Sequence, residues 1–304
     1  MSADAAWPDG DEWRRRLEAE GFRPSRRLGQ NFLVDATRCE AIAALAEPLR
    51  GTFVLEIGVG LGFLTRHLLA RGAEVFGVEY DRRLADLSRD DLVAQAEAGG
   101  GTYDLLVADA LATKSSLAPE LLAALPEDRD WQVVSNLPYA VASPLLVLLA
   151  RTPRPPSAMT ALVQLEVAAR LAARPRSADY GALSVRLQAA YDVTVALRVP
   201  PGAFRPRPKV DSAVVRLVRR APAPEAGELA RVDAVTSAAF AQRRKRLRNN
   251  LGAVLPGGAA DAEELCRRAD VDPAARAEEL DLAAFRRLAE GWPKDLVRVF
   301  DPAD

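Results

Sequence analysis

Val54-Leu55-Glu56-Ile57-Gly58-Val59-Gly60-Leu61-Gly62-Phe63-Leu64-Thr65 decides how this chain is read. An apolar, β-compatible run enters it. Three glycines at alternate positions turn it, and an apolar, helix-compatible segment, Phe63 to Ala70, leaves it. Strand, tight turn and helix in that order let a backbone approach a ligand where side chains are missing. The N–H groups at the helix start then point at that ligand. The spacing is G-x-G-x-G, which differs from the G-x-G-x-x-G of dinucleotide sites. Glu74 to Glu79 reads as a second short strand. Glu79 lies 21 residues after Gly58, where an acid that holds ribose hydroxyls belongs.

Working outward, the same alternation continues. Tyr103–Ala108, Trp131–Ser135, Ala158–Gln164, Val193–Val199 and Ser212–Val218 complete seven predicted strands. Helical spacing falls between most of them, at 81–97, 117–125, 141–150, 166–173 and 179–190. Strands alternating with helices predict an α/β, Rossmann-like fold around a mostly parallel sheet. The last two strands lack a crossover helix and so predict an antiparallel pair. Upstream, Trp13–Glu20 has helical spacing, and Asp35 can cap a helix over 36–46. Ala221-Pro222-Ala223-Pro224-Glu225 reads as a linker. Beyond it only helices are predicted, at 228–240, 243–253, 260–269 and 281–290. The expected organisation is an N-terminal arm (1–25), a catalytic domain (26–220), a linker (221–227) and a small all-helical domain (228–304).

Bulk composition excludes several classes. The chain has 304 residues and a net charge of -1, so overall charge names no partner. Its two cysteines, Cys39 and Cys266, have no metal-ligand neighbours and predict a reducing, cytoplasmic setting. The single histidine, His67, argues against a histidine triad or a histidine-ligated zinc, so no metal is expected. No segment has the apolar length of a membrane span or a secretion signal.

In a parallel sheet, ligands sit at the carboxyl ends of the strands. Gly58, Glu79, Asp109 and Asn136 fall at four successive ends and predict one crevice. Glu79 suits ribose hydroxyls and Asp109 suits an exocyclic amine of a base. Asn136-Leu137-Pro138-Tyr139 follows the fourth strand. An adenine amine is a poor nucleophile because its lone pair is delocalised into the ring. The Asn136 oxygen and a backbone carbonyl near Leu137 or Pro138 can accept its hydrogens and localise that pair. Pro138 stiffens the turn, and Tyr139 offers a stacking face.

These residues resemble the small-subunit rRNA adenine N6,N6-dimethyltransferases, the KsgA (RsmA) family. The resemblance covers about residues 26–290. It includes Leu28-Gly29-Gln30-Asn31-Phe32-Leu33, Glu56 to Thr65, Val78-Glu79-Tyr80-Asp81, Asp109-Ala110-Leu111 and Asn136-Leu137-Pro138-Tyr139. It continues through Gln164–Leu171, Asp179-Tyr180-Gly181, Val199-Pro200-Pro201, Phe204, Pro208–Val214, Arg243-Arg244-Lys245, Leu247–Leu251 and Arg276–Leu280. The resemblance implies a class I S-adenosyl-L-methionine-dependent methyltransferase fold. Four methyl groups would pass to two adjacent adenosines near the 3′ end of 16S rRNA in the small ribosomal subunit. The enzyme would be a cytoplasmic monomer acting in ribosome biogenesis. It implies that Asn31, Leu33, Gly58, Gly60, Glu79, Asp109, Ala110 and Asn136 hold the cofactor, and that Phe204 stacks on the target adenine opposite Tyr139. With methyl transfer from a sulfonium the proton can leave afterwards, so the chemistry is mostly positioning.

Charge placement fits an RNA substrate. From Arg198 to Asn250 there are 13 Lys or Arg against 4 Asp or Glu. Arg205, Arg207, Lys209, Arg243, Arg244, Lys245, Arg246 and Arg248 are the expected phosphate contacts. The chain departs from the family pattern at Leu165 (often lysine), at Val59 (often proline, expected to loosen the turn) and at Arg246 (often small and polar). Rival readings are a large-subunit rRNA adenine methyltransferase, a non-catalytic ribosome-assembly factor and, more distantly, a nicotinamide oxidoreductase. The long helical segment with Leu247-Arg248-Asn249-Asn250 counts against the first, the intact Asn136–Tyr139 turn against the second and the G-x-G-x-G spacing against the third.

Overall fold

The computed structural model describes residues 10–19, 21–25 and 30–297. The first nine residues of the expected arm, and Arg26-Arg27-Leu28-Gly29 of the first family motif, lie outside the described residues. In chain order the elements begin with α1 (Gly10–Ala19), β1 (Phe32–Leu33), α2 (Ala36–Leu45), β2 (Phe53–Ile57), α3 (Thr65–Leu69) and β3 (Glu74–Glu79). There follow α4 (Arg82–Gly99), β4 (Thr102–Val107), the short hairpin β5 (Leu111–Thr113) and β6 (Ser116–Leu117), α5 (Pro119–Ala124), β7 (Trp131–Asn136) and α6 (Ala142–Leu149). Next come β8 (Ala158–Gln164), α7 (Leu165–Leu171), α8 (Ala182–Gln188), β9 (Tyr191–Val199), β10 (Phe204–Arg205) and β11 (Ser212–Arg219). The chain then turns helical through α9 (Ala226–Ala239), α10 (Leu247–Gly252), α11 (Ala259–Arg268) and α12 (Leu282–Glu290).

Seven strands form the main sheet in the order β4-β3-β2-β7-β8-β11-β9. The five from β4 to β8 are parallel; β11 runs antiparallel to both β8 and β9. The expected antiparallel pair is present, and β11 sits inside the sheet with β9 at the edge. This is the Rossmann-like, mostly parallel sheet that the alternation of strands and helices predicts, with helices on both faces. Alternate residues of the central strands enter different cores, as the period of two requires. Leu55, Val133, Ala161 and Val215 face a cluster with α5–α12. Val54, Val134, Leu162 and Val214 face a second cluster with α1–α4. The strand order reverses between β2 and β7, so a crevice opens there at the carboxyl ends.

Local signals account for several boundaries. Asp35 caps α2 by accepting the Arg38 N–H (3.1 Å), and Asp81 caps α4 by accepting the Arg83 N–H (3.1 Å). Gly100, with φ 71°, closes α4 in the left-handed region. One helix starts later than its spacing predicts. Residues 243–246 form a turn ahead of α10, with the Lys245 N–H bonded to the Gln242 carbonyl (3.0 Å). Four consecutive cations give that stretch no apolar face to bury. The Asn250 amide also donates to the Ala239 and Gln242 carbonyls (2.7 and 3.0 Å), which ends α9 there.

The C-terminal helices share one apolar cluster with the sheet. Leu229, Val232 and Phe285 belong to the same cluster as Leu217 and Tyr191. A bidentate ion pair fastens α9 to the loop after α6, with Arg151 Nε 2.7 Å and Nη2 2.9 Å from the Asp233 carboxylate. Arg151 also donates to the Arg186 carbonyl at the end of α8 (2.9 Å). Breaking such a buried pair from one side typically costs about 3–5 kcal/mol, because the other charge is stranded.

Candidate active site

The crevice at the switch point is a cleft of about 420 Å³, within the size range of small-molecule sites. Gly58, Gly60, Glu79, Asp109, Ala110 and Asn136 line it, together with Leu137, Pro138 and Tyr139. The glycine turn is shaped by backbone geometry. Gly60 has φ 57°, and a β-carbon there would sit 3.2 Å from the Phe32 ring. Gly62 has φ 74°, and a β-carbon would fall 2.8 Å from Leu92. Side-chain-free backbone is therefore needed both for the turn and for its packing on α4. Val59 is buried and packs against Gly77, leaving no room for a β-carbon there, so it anchors the turn where loosening was expected.

Glu79 is 6% exposed and has no cationic partner among the described residues. Its Oε2 accepts the Gly60 N–H (2.8 Å) and its Oε1 the Asp81 N–H (2.8 Å). These bonds aim the carboxylate, and each oxygen keeps a lone pair for a hydroxyl. Burial holds its pKa above the usual carboxylate value, and the two backbone bonds oppose that shift. Asp109 is exposed at the rim, with Oδ1 accepting the Leu111 N–H (2.9 Å). One backbone-fixed carboxylate for a ribose, one rim carboxylate for an amine and a glycine floor fit a nucleoside-bearing cofactor.

Asn136 ends β7, opposite Leu162 in β8. Its Nδ2 lies 3.5 Å from the Asn31 carbonyl, a weak contact that orients the amide. The Leu137 N–H bonds the Leu162 carbonyl (3.2 Å), and the Val141 N–H bonds that of Pro138 (3.1 Å). Below this turn the Ser135 hydroxyl donates to the Ile57 carbonyl (2.6 Å), tying β7 to β2. The Tyr139 hydroxyl lies 2.7 Å from Ser212 Oγ at the start of β11. Partial burial raises the Tyr139 pKa, against the Ser212 contact, so the phenol stays neutral.

Two expected site residues sit elsewhere. Phe204 is fully buried and does not line the cleft; β10 pairs with β1, and Leu33 is opposite Phe204. Stacking on a base gains about 1–3 kcal/mol. Exposing a buried phenylalanine loses about as much, before its strand pairing is broken. In this structure Phe204 is therefore a core anchor and does not face Tyr139. Leu33 is buried beside it and does not line the cleft, whereas the preceding Gln30, Asn31 and Phe32 do. The Val34 N–H bonds the Ala203 carbonyl (3.0 Å), completing the clamp.

Other cleft residues were not anticipated. Gln30 and Phe32 flank Asn31 on the cavity wall, and the Gln30 amide reaches Asp81 (3.3 Å). Tyr80 lines the mouth and is 57% exposed. Its signal was its place directly after the strand-end acid. Glu56 lies behind the turn, 1% exposed, with Oε2 lacking a hydrogen-bond partner among the described residues. Burial pushes its carboxyl up to about 8; the nearby Thr65 hydroxyl opposes this and Glu79 adds to it.

The expected phosphate contacts are all exposed, in two places. Arg205, Arg207 and Lys209 lie ahead of β11. Arg243, Arg244, Lys245, Arg246 and Arg248 surround the turn before α10. Arg248 pairs with Glu263 (3.2 Å), while Arg244, Lys245 and Arg246 form no ion pair among the described residues. The wider basic excess is partly spent at the other end of the sheet, where Arg219 pairs with Asp130 and Arg220 with Asp192. His67 pairs with Glu40 on the outer surface (2.8 Å), away from the cleft.

Comparison with known proteins agrees with this geometry. Residues 21–291 match the family described as "Ribosomal RNA adenine dimethylase". The chain is 43% identical over 279 residues to "Ribosomal RNA small subunit methyltransferase A" of Phenylobacterium zucineum, covering 92% of each chain. It is 39% identical over 277 residues to the protein of that name from Geobacillus kaustophilus, covering 90% of this chain and 92% of that one. Among solved structures it is similar to the 23S rRNA methyltransferase ErmE, with TM-score 0.62 and 29% identity over 86% of this chain and 98% of that one. A dimethyladenosine transferase from Plasmodium falciparum shares the fold, with TM-score 0.64, 23% identity and coverage of 82% and 93%. The match spans the sheet, the cleft and the C-terminal helices alike, and the chain belongs to the ribosomal RNA adenine dimethylase family.

Proposed function

We propose that this enzyme transfers methyl groups from S-adenosyl-L-methionine to the N6 amines of adenosines in small-subunit rRNA. The target is two adjacent adenosines near the 3′ end of 16S rRNA, dimethylated during subunit biogenesis in the cytoplasm, by a monomer. The observation that carries this reading is the Asn136–Tyr139 turn opening onto a cleft whose other walls suit a nucleoside-bearing cofactor. Glu79 receives the ribose hydroxyls, Asp109 and the Ala110 backbone the cofactor base, and Asn31 with Gly58 and Gly60 the methionine side. The bound cofactor supplies a methyl group on a positively charged sulfur. The chain's own part is to hold the amine in line with it. The Asn136 Oδ1 and the Leu137 carbonyl accept the two N6 hydrogens and so localise the nitrogen lone pair. Tyr139, pinned by Ser212, presents a ring face to the splayed adenine. Pro138 fixes the turn. Phe204 acts from behind, holding β1 and with it Asn31 and Phe32 against the cleft.

The cationic turn at 243–248, with Arg205, Arg207 and Lys209, binds rRNA phosphates. The small-subunit reading is favoured over the large-subunit one by the relatives near 40% identity, whose similarity includes the C-terminal helices. The test is incubation with radiolabelled S-adenosyl-L-methionine and small subunits lacking the modification, followed by mapping of labelled nucleosides. Dimethyladenosine at two adjacent positions, lost in Asn136→Ala, is the expected result. In a parallel incubation with unmodified large subunits, label confined to large-subunit RNA supports the rival enzyme, and small-subunit binding without label supports an assembly factor.

A further inference from the structure

Two segments stand apart from the cleft: Asp179-Tyr180-Gly181, before α8, and Arg276–Leu280, before α12. The fold brings them together. Tyr180 is buried and meets the Phe240 ring edge-on at 6.4 Å, and Phe240 stacks on Phe285 at 5.8 Å. Around this apolar seam three chain segments exchange polar contacts. The Arg176 N–H donates to the Glu278 carbonyl (2.8 Å), and Arg243 Nη2 donates to the Ala178 carbonyl (2.6 Å). The Glu278 carboxylate lies 3.9 Å from both Arg243 Nε and Arg276 Nη1.

Arg176 holds a φ of 69°, which is uncommon for a residue with a β-carbon. Such a conformation persists where surrounding contacts impose it; here the imposing contact is the bond to Glu278. Arg174 and Arg176 are exposed and form no ion pair among the described residues. The seam thus carries the cationic turn onto the loop between α7 and α8.

We propose that Arg174, Arg176 and Arg276 join the turn at 242–246 in one RNA-phosphate-binding face across the seam between the sheet and the C-terminal helices. Glu278 spaces Arg243 from Arg276 in that face and yields its place to a phosphate. This rests on the rRNA-substrate reading above and extends it to residues outside the cationic turn. At 3.9 Å, with both arginines exposed and Glu278 partly so, these ion pairs contribute little, so a phosphate displaces the carboxylate at small cost. An acidic polypeptide is the poorer match. Protein partners need buried apolar anchors, and the exposed large hydrophobics of the described residues, such as Tyr80, Val195 and Val254, are on other segments.

The experiment measures binding of the full chain to unmodified small subunits across a salt series. Arg174→Gln with Arg176→Asn removes both charges while asparagine tolerates the left-handed backbone. Affinity is expected to fall about 10-fold, and the slope of log K against log salt to become shallower by about 1–2. Glu278→Gln keeps the backbone bond to Arg176 and is expected to act oppositely, tightening binding about 2- to 3-fold. Cofactor affinity serves as the folding control. If the double variant loses it, Arg174→Gln alone carries the test, with a slope change of about 1 expected. An unchanged slope in a variant that still binds cofactor, while the wild type methylates the subunits, overturns the inference and leaves the rRNA reading intact. Wild type that neither binds nor methylates subunits overturns the reading itself. Polyglutamate competing better than a short RNA duplex reassigns the face to an acidic polypeptide.

Discussion

The cleft and the cationic turn handle charge in opposite ways. In the cleft, Glu79 is buried and both its oxygens are aimed by backbone N–H groups. At the turn before α10, Arg244, Lys245 and Arg246 are exposed and form no ion pair among the described residues. The first arrangement fixes atoms to within a bond length, at the expense of desolvating a carboxylate. The second fixes almost nothing and keeps its charges solvated, available to any nearby phosphate. In the proposed function the methyl transfer, which depends on geometry, calls for the first arrangement and docking on a large polyanion for the second. Perturbing each should therefore produce different kinetic signatures.

The largest effect is expected at the positioned end. Asn136→Ala removes the acceptor proposed to act on the amine as it becomes tetrahedral. It should lower kcat about 100-fold while subunit binding stays within about 2-fold, as single-turnover methylation and filter binding will read. A comparable loss of binding would erase the proposed separation between cleft and turn. At the other end, Arg244→Glu with Arg246→Glu should weaken subunit binding about 10- to 100-fold and flatten its salt dependence. Cofactor affinity by calorimetry should be unaffected.

Glu56 sharpens the cleft side through pH. Its folded-state pKa, about 8, lies above the ordinary value of about 4.5. The folded protein then holds a proton that the unfolded chain releases between those limits. Stability from this group is full below about 4.5 and declines as pH rises towards about 8. Glu56→Gln should flatten that decline and stabilise the protein above pH 8 by about 1–2 kcal/mol. Thermal melts of both proteins from pH 5 to 9 check this, and parallel curves would place Glu56 in contact with water. The smallest effect is expected for Tyr139→Phe. It keeps the ring but loses the 2.7 Å contact with Ser212, worth about 1 kcal/mol. A loss of about 5-fold in kcat/KM is expected, against a much larger one for Tyr139→Ala.

Much of this molecule was legible in local sequence. The seven strands follow from apolar runs bounded by turn residues. The glycine turn, Glu79 and Asp109 follow from their places at strand ends, because in a parallel sheet chain order alone puts those ends on one side. Helix starts at Asp35 and Asp81 follow from a side chain capping its own neighbours. The late start of α10 was hidden, because the Asn250 amide that ends α9 acts across a turn.

The residues that were misread share a cause. Phe204 and Leu33 depend on β10 pairing with β1, a contact between segments about 170 residues apart in sequence. Ser212 pins Tyr139 from β11, and Glu278 fixes Arg176 from the far side of the C-terminal helices. Sequence by itself determined which residues could form strands, caps and a nucleoside-binding turn, since those depend on neighbours within a few positions. Only the tertiary structure decided which aromatic ring faces the cleft, which carboxylate is buried away from cations and which cations form no ion pair among the described residues. Burial and pairing are properties of surfaces that meet only once the chain has folded.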